Sequence, residues 1–304
     1  MVIRRYVLMN IVEEVAYRCE LALLLELSTT PKPGLVDRVH DFGETKFRDF
    51  LASAASLHPF FRRAVESGGK GLGRIIYMGV ERFLGVQKGG NTHLGAWLLL
   101  APLAASYTSR RFPVNLSTLA KSLKRVLSRL TWRDTTWIFK AVAHASPGGL
   151  GRVAYLDVRS RETYEEIRSG KITPLDALKP YKEYDVVAHE WVTGYSWSLE
   201  GARFLIKSLG EEDADKVFAQ TFLWLLAHHP DTLISRRAGR KISKMVSEMA
   251  SEALKAGGIY TSEGRRALSR LDKYLRRSRK LRPGATADLL ASTIAMVLLT
   301  GWNP

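Results

Sequence analysis

Thr30-Pro31-Lys32-Pro33-Gly34-Leu35-Val36-Asp37-Arg38 interrupts a helical segment with a rigid, charged turn. Upstream, over residues 15–27, apolar side chains recur every three or four positions, the mark of a helix with one buried face. Downstream, residues 47–61 resume that pattern. Two prolines fix φ and push their predecessors out of the helical region, and Gly34 permits a sharp change of direction. Lys32, Asp37 and Arg38 are thereby held in a stiff loop, a setting suited to ligand sites. The plainer reading is a helix-ending turn with a solvated lysine and an aspartate capping the next element.

The rest of the chain has the same texture. Residues 94–106, 116–130, 198–209, 214–228, 236–256, 265–279 and 286–299 each carry an apolar stripe and are joined by turns rich in Gly, Pro and Asp. Residues 146–192 are the exception: Pro147-Gly148-Gly149 leads into Val153-Ala154-Tyr155-Leu156-Asp157-Val158, which could pair as a short hairpin, and then into a polar, loop-like excursion. The expectation is an all-α fold over residues 1–304, one compact domain with a loop-rich insertion.

A chain of 304 residues can bury a large core. Charges within the first helix exclude a secretory leader, and the apolar runs at 94–107 and 289–302 are too short to span a bilayer, so the protein is expected to be cytoplasmic. The lone Cys19 excludes a disulfide framework or a thiolate metal cluster. Amides are scarce, with Asn10, Asn91, Asn115 and Asn303 and two glutamines, Gln87 and Gln220, which suggests a heat-adapted source. A net charge of +16 points to anionic ligands, whether nucleotide, acidic cofactor or nucleic acid.

Three further clusters carry chemistry. Gly89-Gly90-Asn91-Thr92-His93-Leu94-Gly95 precedes an apolar helix. Its glycine amides can form an anion-binding nest, with Asn91 or Thr92 as cap and His93 in the first turn. A well-capped helix with a packed histidine is the alternative. In His228-His229-Pro230-Asp231-Thr232-Leu233-Ile234-Ser235-Arg236-Arg237, Asp231 and Arg237 could hold a metal-phosphate group from two sides, or serve simply as cap and surface cation. Arg282-Pro283-Gly284-Ala285-Thr286-Ala287-Asp288 starts a last helix, with Thr286 a candidate cap and Asp288 in a place that the helix dipole favours for any acid.

Taken in order, Glu26 with Pro31-Lys32-Pro33-Gly34-Leu35-Val36-Asp37, then Asn91-Thr92-His93-Leu94-Gly95, then Asp231-Thr232 with Arg237, then Pro283-Gly284 with Ala287-Asp288-Leu289-Leu290-Ala291, the motifs resemble the triphosphoribosyl-dephospho-CoA synthase family over nearly the whole chain. The resemblance implies an all-helical enzyme that transfers the triphosphoribosyl group of ATP to the 2′-hydroxyl of 3′-dephospho-CoA and releases adenine. The product of that family is the precursor of the prosthetic group of citrate lyase or malonate decarboxylase.

Displacing adenine at C1 of a ribose passes through an oxocarbenium-like state, which calls for a carboxylate base and a donor to the purine. Glu26, Asp37, His93 and Asp231 are therefore the expected catalytic groups. Lys32, Gly89, Gly90, Asn91, Thr92, Arg237, Pro283 and Gly284 are expected to bind substrate, and Asp231 and Asp288 to bind Mg²⁺ beside the triphosphate.

The chain departs from the family pattern at Gly201-Ala202-Arg203-Phe204-Leu205 and across 146–192, which leaves a different acceptor as the alternative. The rival from another class is a basic helical nucleic-acid binder. Its support is residues 263–282, where nine Lys or Arg stand against Glu263 and Asp272. No established nucleic-acid motif accompanies that stripe, and a solvated helix face is the plainer account.

Overall fold

The turn that begins at Thr30 ends the first helix, α1 (Val2–Ser28), and Thr29 Oγ1 closes its last turn on the Leu25 carbonyl. The structure is a computed structural model describing residues 2–107, 112–148, 150, 153, 155–210 and 213–304, with backbone alone over 2–10. The expected helix at 47–61 is two helices, α2 (Phe47–Ser56) and α3 (His58–Ser67), that meet at Leu57. Pro59 lacks the N–H that a continuous helix would use there, so the ladder restarts. The first half of the chain continues with α4 (Leu72–Gly85), α5 (Leu94–Ala105), α6 (Leu116–Leu127) and α7 (Trp132–Ala145).

The segment 146–192 departs from the expectation of a loop. It contains α8 (Arg161–Ser169), α9 (Pro174–Leu178) and α10 (Val186–Thr193), with one 3₁₀ turn at Lys179–Tyr181. Among the described residues there is no strand, so the hairpin expected at 153–158 is not formed there; Ala154 lies outside them. The helix starts carry ordinary capping signals: Asp185 accepts from the amides of Val187 and Ala188, and Thr173 from Asp176 N, as N-caps do.

The chain closes with α11 (Ser196–Ser208), α12 (Ala214–His228), α13 (Thr232–Ala238), α14 (Arg240–Lys255), α15 (Ser262–Leu275) and α16 (Gly284–Leu299). The expected helix at 236–256 is divided between α13 and α14 at Gly239, whose φ of 99° interrupts the helix.

Two helices are apolar around their whole circumference, α5 and α16, and both lie in the middle of a single continuous core. α16 is bordered by α1, α5, α11, α12 and α13. Burying each large apolar side chain contributes ~1.5–3 kcal/mol, so these two helices carry much of the stability. Polar handles fix neighbours on α5. The Trp97 indole donates to Ile76 O (2.9 Å), Trp191 to Leu98 O (3.1 Å) and the Tyr195 hydroxyl to Leu99 O (2.8 Å). Between α10 and α11 the buried Glu190 carboxylate accepts from the amides of Trp197 (3.1 Å) and Ser198 (2.9 Å), doing for α11 what an N-cap would. The starts of α5, α13 and α16 and the loop after α1 all come together at one end of this core.

Candidate active site

The loop after α1 folds inward. Lys32 is buried, and its Nζ donates to the Glu26 carbonyl (2.9 Å) and to Glu26 Oε1 (2.5 Å) on the last turn of α1. Gly34 is what lets the turn sit down on α15: its φ is 74°, and a Cβ there would lie 2.6 Å from Leu275 Cβ. Gly34 N–H donates to Asp272 Oδ1 at 2.8 Å.

Asp37 ties the loop together. Its Oδ1 accepts from the amides of Val39 (2.9 Å) and His40 (2.8 Å) and meets His40 Nδ1, while Oδ2 accepts from Thr30 Oγ1 (3.2 Å) and Lys32 N (3.4 Å). The carboxylate expected to be catalytic thus makes its hydrogen bonds within its own loop.

At the second cluster α5 begins at Leu94, where its apolar stripe begins; Asn91 Oδ1 accepts from Leu94 N (3.1 Å), and His93 stands at the cap position and not in the first turn. His93 is 2 % exposed and stands edge-on to Phe50, and neither ring nitrogen has a hydrogen-bond partner in the protein. Burial and the nearby Lys32 charge push its pKa down to about 3, so the imidazole is neutral, with one N–H and one lone pair uncommitted. The glycine pair is less open than expected: Gly89 N–H already donates to Gln87 Oε1, so it adds nothing to an anion nest. Thr92 Oγ1 is hydrogen-bonded to Ser53 Oγ (2.7 Å).

Asp288, on α16, meets the start of α5. A Cβ on Gly95 would fall 2.0 Å from Asp288 Oδ2, so only glycine admits the carboxylate there. Ala96 N–H donates to it, yet burial and the charges of Glu26 and Asp231 raise its pKa well above the ordinary carboxylate range. Asp231 is a joint between α13 and α16. Its Oδ1 accepts from Ile234 N (2.9 Å), and its Oδ2 accepts from Thr286 N (2.8 Å) and Thr286 Oγ1 (2.9 Å). Thr286 is a donor to Asp231 and not the cap of α16, and both Asp231 oxygens accept hydrogen bonds at that joint.

These elements enclose a cavity of about 610 Å³. Of the residues expected at a site, Glu26, Lys32, Gly89, Gly90, Asn91, Thr92, His93, Arg237, Gly284 and Asp288 line it, whereas Asp37, Asp231 and Pro283 do not. Four arginines, at 236, 237, 279 and 282, are among the lining residues. Arg237 gives its hydrogen bonds to the carbonyls of Gly148 (3.2 Å) and Arg279 (3.5 Å), and burial with the neighbouring Arg279 and Arg236 lowers its pKa. Arg236 pairs with Asp185, and Arg282 pairs with Glu44 (2.7 Å) while lying 3.4 Å from the Phe42 ring centroid.

A sequence model of the family described as "ATP:dephospho-CoA triphosphoribosyl transferase" matches residues 12–304. The chain belongs to that family. A 2-(5''-triphosphoribosyl)-3'-dephosphocoenzyme-A synthase of Pectobacterium atrosepticum is 29 % identical, with 95 % of this chain and 89 % of that protein covered. The synthase of that name from Klebsiella pneumoniae is 28 % identical, over 92 % of this chain and 89 % of its own. The fold agrees: a solved Archaeoglobus fulgidus protein described as a triphosphoribosyl-dephospho-CoA synthase superposes with a TM-score of 0.67 at 30 % identity, covering 85 % of this chain and all of that one.

Membership of the triphosphoribosyl transferase family makes this chain a transferase and disfavours the nucleic-acid reading. The basic run behind that reading divides by role. Leu268, Leu271 and Leu275 of α15 are core, Arg276 bonds Asp272 (2.8 Å) and Leu35 O (2.9 Å), and Arg279 and Arg282 line the cavity. No helix among the described residues is long and apolar enough to cross a membrane. Phe50 is a site residue that the sequence does not single out, because nothing sets it apart from other core aromatics; Arg236 and Arg279 lie in marked stretches, the 228–237 cluster and the basic run 263–282, without being distinguished there from their neighbours. Arg282 both ends that basic run and heads the last motif.

Proposed function

We propose that the cavity holds ATP and 3′-dephospho-CoA together and joins C1 of the ATP ribose to the acceptor's 2′-hydroxyl oxygen, with adenine as leaving group. One observation carries this: four sequence-distant segments deliver an unpartnered neutral histidine, two carboxylates, a buried lysine and several arginines to one cavity. In the reaction the C1–N bond to adenine breaks with its electron pair passing to the adenine nitrogen, the O–C1 bond forms, and the hydroxyl's proton goes to Glu26 and then to water, while adenine takes one proton back from water, so that atoms and charge balance over the turnover.

Glu26 is the candidate to accept the hydroxyl proton, because burial raises its proton affinity while Lys32 beside it opposes that shift. His93 donates its free N–H to the departing purine and stabilises the charge that develops there. Lys32 and the arginines at 236, 237, 279 and 282 hold phosphates through charge-assisted hydrogen bonds. Asn91, Thr92 and Gly284 also line the cavity and are the candidate contacts to the ribose, with Gly90 beside them.

Mg²⁺ fits with a smaller set than expected. Asp288 is a cavity-lining acid whose charged form is disfavoured by burial and by two neighbouring acids, a strain that a cation relieves; Glu26 is the second acid within reach. One or two carboxylates plus phosphate oxygens is a usual magnesium environment, so Asp288 is the proposed protein ligand and Asp231 is not. Bound there, the ion would neutralise the triphosphate so that it is held without reacting. The amide-poor composition and the substrates support a heat-adapted cytoplasmic enzyme.

The test is incubation with ATP, Mg²⁺ and 3′-dephospho-CoA, followed by mass spectrometry. Free adenine and a product heavier by one triphosphoribosyl unit are expected. Adenine release only with another hydroxyl acceptor would keep the transfer and change the acceptor, and no release from a folded, ATP-binding protein would overturn the reading.

A further inference from the structure

The cavity is not polar throughout. Its wall built by α7, α9 and α10 presents Ile138, Phe139, Val142, Leu178, Val187 and Trp191, and these helices pack on one another beside α5. Trp191 shows this wall only its ring, since its N–H is spent on Leu98 O. The acids at its edge are neutralised: Asp157 by Arg159 (3.0 Å) and Asp185 by Arg236.

We infer that this wall binds the pantetheine arm of the acceptor, a long, uncharged, largely aliphatic chain. The inference rests on the proposed transferase function. Three observations choose this occupant over the donor's adenine. The unpartnered His93 nitrogens and the Phe50 ring, on the α2 and α5 side of the cavity, offer a purine its hydrogen bonds and contacts there. Arg236 links the cavity's arginines to the start of α10, so a diphosphate held there directs the remainder of its molecule along that helix. The wall itself has almost no free hydrogen-bonding groups, which suits methylenes and a gem-dimethyl group better than a base with four ring nitrogens.

ADP is the natural probe, because it carries the same adenosine 2′-hydroxyl and 5′-diphosphate as 3′-dephospho-CoA and lacks only pantetheine. Titration calorimetry of the full chain should show 3′-dephospho-CoA binding at least tenfold tighter than ADP. Val142→Trp, which fills the wall, should remove that difference while leaving ATP and ADP affinities within twofold. Leu178→Asn, which places an amide on the same wall without adding volume, should reduce the preference in the same direction and serves if the tryptophan variant fails to fold. Equal affinity of the wild type for the two acceptors would overturn the inference. Equal weakening of ATP, ADP and 3′-dephospho-CoA would overturn it too, by placing an adenine on the wall. A wild type that prefers 3′-dephospho-CoA but releases no adenine would sink the transferase reading and leave the pantetheine site standing.

Discussion

Lys32 and Glu26 form a buried ion pair, and such pairs matter most when half of one is removed. Lys32→Met leaves the Glu26 carboxylate buried without its cation, and should cost about 3–5 kcal/mol in urea unfolding at pH 7. Adding Glu26→Gln should recover most of that stability without restoring adenine release; a double variant no more stable than the single one would show that the pair is not the cause. His93 gives a pH signature. Its folded pKa is about 3 against the ordinary 6.5, so the unfolded chain binds the extra proton between those values. The stability held by the neutral ring is therefore complete above pH 6.5 and is lost as pH falls toward 3. His93→Asn should flatten the difference in urea midpoint between pH 7 and pH 4.5, and should lower kcat roughly 100-fold or more at pH 7 by removing the donor to the purine. If the wild-type rate profile carries a limb near pH 6.5 that His93→Asn abolishes, the neutral-imidazole role is wrong.

At the scale of elements, function depends on how helix ends approach one another. The start of α5 meets Asp288 of α16 only because residue 95 has no side chain. Gly95→Ala improves intrinsic helix propensity by up to about 1 kcal/mol, so the fold should survive, yet the displaced carboxylate should reduce adenine release at least ~100-fold. Far-ultraviolet circular dichroism with the adenine assay checks both, and an active Gly95→Ala would remove Asp288 from the site. At the α10–α11 joint, burial raises the Glu190 pKa to about 7, above its ordinary 4.5, although the amides of Trp197 and Ser198 oppose the shift. The folded chain therefore holds an extra proton between those values, and stability falls as pH rises from 4.5 through 7. Glu190→Gln should lessen that fall; parallel melting curves for wild type and variant from pH 5 to 8 would exclude the effect.

At the scale of the whole molecule, the helices form a frame with one cavity for two anionic substrates. ATP with Mg²⁺ should raise the melting temperature, since a ligand at 100 times its Kd adds about 2.7 kcal/mol to a fold it alone recognises. Arg237→Ala should reduce that rise, as should EDTA, without altering the melting point of the free protein by more than a few degrees. Equal rises in wild type and Arg237→Ala would take Arg237 out of the phosphate site. The net charge of +16 gains a local meaning here, because part of it, Lys32 and the arginines at 236, 237, 279 and 282, lines the cavity.

The helical class, the positions of most helices and the four motif loops are local properties, set by apolar periodicity and by where proline, glycine and capping side chains stop or start a ladder, and so they are legible along the chain. Periodicity also blurs the breaks at Leu57 and Gly239, where the apolar stripe runs on although the backbone does not, and the polar composition of 146–192 hides α8, α9 and α10, whose apolar faces are short. What no spacing could reveal is which way a buried carboxylate turns. Asp37, Asp231 and Asp288 all sit in the same kind of turn-and-helix setting in the sequence. Asp37 accepts from amides of its own loop and Asp231 from a distant threonine, while Asp288 faces the cavity across a glycine on another helix. Those partners lie up to 193 positions apart, as Gly95 and Asp288 do, and only the packing of α5 against α16 brings them into contact.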